Sequence, residues 1–192
     1  MDQSSDRGAP ARALEALARH DVVASGVVAG AAGAAAMVAV AAVGAASEGL
    51  PATHALEVIG ASLVGPGAFA SAAGKIAFGA LVHAAVAAAL GILFASIVPR
   101  DFSAPNALAV GVGMALFALG VMMGWVVPWA NPGFRGQMQA VGGSWVVAHA
   151  VFGLALGTTP ALRRWLVRAA ARAAAAPGLS RAAAVAPPPR AP

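Results

Sequence analysis

Four long runs of apolar residues dominate the pattern of hydrophobic and polar positions along the chain. They cover about residues 22–46, 76–98, 107–127 and 145–162, and no Asp, Glu, Lys or Arg lies inside any of them. About 20 consecutive apolar residues are needed for an α-helix to cross the hydrocarbon core of a bilayer. The pattern therefore predicts an all-α, polytopic membrane protein with four transmembrane helices.

The second and fourth runs contain the same sequence, His-Ala-x-x-x-x-Ala-Leu-Gly, at His83–Gly91 and again at His149–Gly157. A motif repeated at one place in two spans predicts two repeated hairpins, spans one and two followed by spans three and four. Ionisable side chains are costly inside a bilayer and usually face the interior of the helix bundle. We therefore expect His83 and His149 to face the interior at matched depth, in the outer half of the membrane.

The segment between spans one and two has apolar residues at helical spacing. It predicts a helix at about residues 52–64 on the outer surface, ended by the Gly-Pro-Gly sequence that follows. His54 and Glu57 lie on another face of this helix. We expect these two side chains to cover the two histidines of the spans and so to complete a polar site.

The first run is unusual because it is almost entirely Ala, Val and Gly, with Met37 as its only larger side chain. Such a helix gains little from contact with lipid, since Leu, Ile and Phe supply most of the favourable transfer. We therefore expect it to be packed among other helices. Small residues at 45–47 leave open the alternative that this run is a cleaved signal peptide, which would leave three spans.

The positive residues indicate how the chain is oriented. Of the 12 Lys and Arg residues, three precede span one, Arg100 lies between spans two and three, and six follow span four. Cytoplasmic loops carry the excess of positive charge, so both termini are expected in the cytoplasm. The chain then divides into a cytoplasmic tail (1–21), a transmembrane domain (22–162) and a basic, Ala- and Pro-rich cytoplasmic tail (163–192).

Tryptophan and glycine mark predicted contacts of the spans. Indole rings prefer the headgroup zone, and tryptophans lie near the ends of spans three and four, at Trp125, Trp129, Trp145 and Trp165. Glycines on one face of a helix let two backbones approach closely. The glycines expected to serve such packing are Gly26, Gly30, Gly79, Gly91, Gly120, Gly124, Gly153 and Gly157. Glycines four residues apart are frequent in a chain rich in Gly and Ala. We therefore interpret these glycines as packing positions within the bundle, with a homo-oligomer as an alternative.

The composition narrows the class of protein further. Hydrophobic residues make up 60% of the chain and charged residues 10%, whereas soluble proteins have roughly 25% charged residues. The absence of Cys excludes disulfides, thiolate metal sites, iron–sulfur clusters and cysteine nucleophiles. The C-terminal tail carries Arg163, Arg164, Arg168 and Arg172, which we expect to contact anionic lipid headgroups. This role accounts for the basic charge, so nucleic acid is not expected as a partner.

Three interpretations of the histidine pair stay open. Each imidazole locks the bundle by a hydrogen bond to a neighbouring helix, or the pair binds a metal ion or haem with His54 and Glu57, or it lines the path of a solute or proton. No enzyme template fits, because no acid lies within the spans to orient a base. The sequence favours a non-enzymatic membrane protein of structural or accessory type without a cofactor. A small-solute transporter or channel, and a metal- or haem-binding protein, are the alternatives.

Four short motifs carry a resemblance to a known group of proteins. They are the two histidine cores, Leu50-Pro51 in the outer loop, Val127-Pro128 at the end of span three, and Ser144-Trp145-x-x-x-His149 at the start of span four. Together they resemble bacterial inner-membrane proteins of the YagU type and related families of unknown function, over about residues 22–160. The resemblance implies a four-helix protein of the bacterial cytoplasmic membrane, and it carries over no catalytic or binding residue.

Reporter fusions test the predicted orientation. A reporter that is active only outside the cytoplasm should be active when fused at Lys75 or Arg135, because both positions lie in outer loops. A reporter that is active only in the cytoplasm should be active at Arg100 and at Pro192. Finding Pro192 outside the cytoplasm would overturn the orientation.

Overall fold

The computed structural model of the chain describes residues 8–132 and 142–175. Within these ranges it is all-helical and has four helices long and apolar enough to cross a membrane, at His20–Ser47, Ala72–Ile97, Ala104–Ala130 and Gly143–Arg172. This confirms the predicted all-α, four-span fold class. Arg7, Arg135 and the tail from residue 176 onward, which entered the charge argument, lie outside the described residues.

The helices follow one another closely in the two described ranges. The α-helices are α1 (Gly8–Ser47), α2 (His54–Val64), α3 (Ala72–Ile97), α4 (Ala104–Val121), α5 (Val127–Ala130), α6 (Gly142–Gly157) and α7 (Thr159–Ala175). A short 3₁₀ turn, Pro66–Ala68, separates α2 from α3. The start of α3 is capped by the Ser71 side chain, whose Oγ accepts a hydrogen bond from the Gly74 N–H at 3.2 Å.

Span three is interrupted near its end by one turn of π-helix. This turn, Met122–Val126, joins α4 to α5, and Pro128 follows it at the start of α5. Proline has no N–H to donate, and its ring collides with the carbonyl four residues earlier in a regular α-helix. A π-helical turn accommodates this defect by widening the helix locally. The widened turn turns out to line the candidate site described below.

Two helix pairs form the bundle. α1 packs against α3, α4 packs against α6, and contact between α1 and α6 joins the two pairs. The helices therefore lie in the order α3, α1, α6, α4, with α1 at the centre as expected from its small side chains. Among the described residues, α3 and α4 do not pack closely against one another. Instead, α3 packs on α1 and α4 packs on α6, so the space between α3 and α4 is bounded on one side by α1 and α6.

Glycines set the closeness of both pairs. A Cβ atom on Gly91 of α3 would collide with the backbone carbonyl of Gly26 in α1. A Cβ on Gly157 of α6 would lie 2.6 Å from the Leu108 Cα in α4. Gly91 and Gly157 are the last residues of the two repeated motifs, so each motif ends where its helix touches the first helix of its own pair.

Three further predicted glycines also lie at close backbone approaches, and two do not. A Cβ on Gly30, Gly79 or Gly153 would collide with the backbone of a neighbouring helix. Gly120 and Gly124 have no atom within 4 Å of an added Cβ. Their predicted packing role is therefore not met within the described part of the chain, because both glycines face open space.

The half of the bundle opposite α2 is filled by large apolar side chains. Phe94 of α3 and Phe152 and Leu156 of α6 are fully buried. They belong to one hydrophobic cluster that also contains Ala34, Ala87, Val98 and Ala115. At the other end, α2 packs on α3, and the Asn131 side-chain amide donates to the Ala61 carbonyl of α2 at 3.2 Å. α2 is thus fixed across one end of the bundle.

The glycine contacts predict opposite outcomes for two identical substitutions. Gly91→Ala should lower the free energy of unfolding by about 1–3 kcal/mol, because the added methyl group overpacks a backbone contact. Gly120→Ala is the matched control and should be neutral or stabilising by up to about 1 kcal/mol, since its Cβ meets open space and Ala favours a helix. Unfolding of the purified variants in detergent micelles measures both. Equal stabilities for the two variants would contradict the packing described here.

Candidate functional site

A cavity of about 100 Å³ lies inside the bundle directly beneath α2. Its volume is that of about three water molecules at roughly 30 Å³ each. Every span contributes to its wall, together with α2, through Met37, Val58, Ile59, Ser62, Leu63, Val82, His83, Val86, Leu119, Met122, Met123, Val127, Trp145 and His149. We call this space the histidine cavity. A smaller space of about 60 Å³ adjoins it toward Phe152 and is lined by Met37, His83, Met122 and His149 as well.

His83 reaches the cavity from α3 and is tied to α1. Its Nε2 lies 3.3 Å from the Ala34 carbonyl oxygen. A carbonyl oxygen only accepts hydrogen bonds, so Nε2 carries the proton of the neutral ring and Nδ1 keeps a lone pair. The hydrogen bond therefore fixes the orientation of the imidazole and leaves one nitrogen able to accept a hydrogen bond or bind a ligand.

His149 reaches the same cavity from α6 but is anchored differently. Its Nδ1 lies 2.8 Å from the Trp145 carbonyl oxygen in the preceding turn of the same helix. The Trp145 ring stacks on the imidazole, with ring centroids 6.3 Å apart and planes 22° apart. By the same argument Nδ1 donates, and Nε2 keeps the lone pair. The histidines of the two repeated motifs thus line one cavity, and each is anchored through a different ring nitrogen.

The predicted loop partners do not join this site. Glu57 accepts a hydrogen bond from the Thr53 hydroxyl at 3.0 Å, and neither His54 nor Glu57 lines the histidine cavity. α2 covers the cavity with another face, which carries Val58, Ile59, Ser62 and Leu63. In the ranges described, no group of three or more His, Cys, Asp or Glu side chains is arranged to hold a metal ion. The expected cover of a carboxylate and a third imidazole is therefore replaced by three apolar side chains and one hydroxyl.

Sequence reasoning missed the contributions of Met122 and Trp145 to the cavity. Met122 lies in the π-helical turn, whose position the apolar pattern of span three does not reveal. Trp145 was predicted as an anchor in the headgroup zone, yet it is half-buried and lines the cavity. Trp125 and Trp129 are 79% and 86% exposed. Met37 had one sequence signal, because it is the single large side chain in span one.

A buried ion-pair cluster lies at the opposite end of the bundle, beside α7. The Asp21 side chain of α1 is fully buried, and its Oδ2 lies 3.2 Å from Arg163 Nε and 3.2 Å from Arg100 Nη2. Arg163 also donates to the Ala95 and Val98 carbonyls at the end of α3, at 2.9 and 3.0 Å. One guanidinium thus joins α1, α3 and α7.

This cluster corrects one prediction for the basic tail. Arg163 was expected to contact lipid headgroups, but its side chain is only 11% exposed and its donors are directed at protein oxygens. Arg164 is partly buried and donates to the Arg100 carbonyl at 2.6 Å. Arg168 and Arg172 are exposed and stay available to headgroups. Trp165 is also exposed.

Comparison with other proteins adds no independent assignment. No known protein family, curated protein or solved structure matches the chain.

The ion-pair cluster predicts a large and specific loss of stability. Arg163→Met should lower the free energy of unfolding by about 3 kcal/mol, because it leaves the buried Asp21 carboxylate with only the more exposed Arg100. Arg168→Met is the matched control on α7 and should change stability little. Adding Asp21→Asn to Arg163→Met should recover part of the loss, since the uncompensated charge is removed. Unfolding in detergent measures all three, and no recovery in the double variant would contradict the role of the ion pair.

Proposed function

We propose that this chain is a non-enzymatic, multi-pass protein of the bacterial cytoplasmic membrane, of accessory type, that holds a small ligand in the histidine cavity. One observation carries the proposal. Two imidazoles, each fixed by a hydrogen bond from one nitrogen, line the same cavity. Fixed polar groups within an otherwise apolar cavity are the usual composition of a small-ligand site.

The orientation proposed for the ligand site follows from the charges. The basic residues gather at the end formed by α7 and the loop between α3 and α4, which favours a cytoplasmic location for that end. The histidine cavity then lies in the outer half of the membrane, beneath α2. The ligand would enter from the outer side or from the outer leaflet. Arg168 and Arg172 are proposed to contact anionic headgroups of the inner leaflet.

Binding is favoured over transport by the packing below the cavity. Phe94, Phe152 and Leu156 are fully buried between the histidine cavity and the ion-pair cluster. A solute path needs polar groups or water along the whole bundle, and this apolar layer offers none. We therefore keep a transporter or channel as the less favoured function.

A purely structural role is the second candidate, and the hydrogen bond between His83 and Ala34 favours it. This bond links α3 to α1, and such bonds in membrane bundles contribute about 0.6 kcal/mol on average. The structural role explains one nitrogen of each ring. It gives no role to the cavity that both histidines line, whereas a ligand does. Membership of the YagU-type proteins is part of the proposal and supports only the membrane location.

Native mass spectrometry of the protein purified from its host membrane tests ligand binding. Wild type should carry a non-covalent adduct close to one per chain. Ala118→Phe fills the space beside the histidines and should remove the adduct, because Ala118 lines the smaller part of the cavity. Ala109→Phe is the matched control, since Ala109 is exposed on the same helix, and it should retain the adduct.

Two outcomes would overturn the proposed function. Wild type without any adduct, together with full stability, would leave the structural role in its place. Solute flux into liposomes that contain the purified protein, abolished by His149→Ala, would instead establish transport. An adduct that survives Ala118→Phe unchanged would place the ligand elsewhere and also reject the cavity as its site.

A further inference from the structure

The histidine cavity contains a second kind of donor besides the two imidazoles. The thioether side chains of Met37 from α1 and Met122 from the π-helical turn line it together with His83 and His149. The same four residues also line the adjoining smaller space toward Phe152. Four side chains from four different helical segments therefore line one cavity. Two of them offer nitrogen lone pairs and two offer sulfur lone pairs.

This donor set selects among metal ions by softness. Thioether sulfur is a soft ligand that favours Cu(I), and imidazole suits Cu as well as Zn and Fe. Hard cations such as Mg²⁺ and Ca²⁺ take oxygen ligands, and no carboxylate lines either space. The combination of two imidazoles and two thioethers is thus matched best by a soft, copper-type ion.

Charge leads to the same ion. The cost of placing an ion in a medium of low dielectric constant grows with the square of its charge, and a buried charge needs a compensating partner. None of the cavity-lining residues carries a negative charge. Neutral imidazoles and thioethers bind without losing a proton, so a bound ion keeps its full charge. A monovalent ion is therefore favoured strongly over Zn²⁺ or Fe²⁺.

Size separates a metal ion from haem. The cavity of about 100 Å³ holds a volume equal to about three water molecules, which is far less than a porphyrin ring requires. A single ion is small enough for this space, and the four candidate ligands line it. The hydrogen bonds of His83 and His149 also fix the ring that presents each free nitrogen, as the partners of metal-binding histidines commonly do.

We infer that the histidine cavity binds one Cu(I) ion through His83 Nδ1, His149 Nε2 and the sulfur atoms of Met37 and Met122. The inference rests on the proposed function, since it names the class of the ligand that the cavity holds. No oxidation or reduction of the ion is part of it.

Titration of the purified protein with Cu(I) under anaerobic, reducing conditions tests the site against a chromophoric Cu(I) chelator. One ion should bind per chain. Met37→Leu and Met122→Leu conserve the side-chain volume. Each should weaken Cu(I) binding by about tenfold or more, because loss of a direct ligand should cost at least as much as loss of a residue that only supports a ligand. Met114→Leu is the matched control, because Met114 packs against the hydrophobic cluster and does not line the cavity. His54→Gln is a second control and should leave Cu(I) binding unchanged, because His54 does not line the cavity.

X-ray absorption at the copper edge supplies a readout that a structural role would not change. Wild type loaded with Cu(I) should show both sulfur and nitrogen scatterers. Nitrogen alone, or affinities unchanged by Met37→Leu and Met122→Leu, would overturn the inference. Binding of Zn²⁺ in place of Cu(I) would also overturn it and leave the proposed function standing. A wild-type adduct that contains no metal would have the same consequence.

Discussion

The whole bundle depends on the close approach of helix backbones at small residues. In a bilayer the lipid tails are as apolar as the helices, so burial of apolar surface gives little drive for association, and close packing has to supply it. Gly26 and Gly91 bring α1 and α3 together, and Gly111 and Gly153 do the same for α4 and α6. These contacts fix two tight pairs. The larger side chains then determine where the space between the pairs is filled and where a cavity is left.

The histidine cavity is a consequence of that division. Phe94, Phe152 and Leu156 fill the space between the pairs in one half of the bundle. In the half under α2, the helices carry flexible methionines and planar imidazoles instead, and the space is not filled completely. Apolar residues of α2 close it from above. The two histidines lie between α2 and these bulky side chains. The result is a cavity with an apolar wall that also contains imidazole nitrogen atoms.

Some of this was predictable from sequence, and the reasons are physical. Long uncharged runs are typical of membrane spans, and a repeated motif gives its residues the same local context, so the four apolar helices and the shared cavity of His83 and His149 could be expected from local pattern. Met122 lines the cavity and Glu57 does not, and both outcomes depend on how each helix is rotated about its own axis. In span three, Pro128 changes this rotation through the π-helical turn. The spacing of apolar residues does not reveal how large the change is. Asp21 was missed because its partners are distant in the chain.

The distance between Asp21 and its partner has a consequence for synthesis in the membrane. Arg163 follows Asp21 by 142 residues, so it emerges only after the fourth span has been made. Until then the carboxylate at the start of the first span has at most Arg100, which arrives after the second span. The growing chain therefore holds an acid at the start of its first span whose pairing is completed last. Closure of this cluster adds an ion pair to the packing of α1 against α6, and a chain truncated before Arg163 lacks the buried guanidinium that pairs with Asp21.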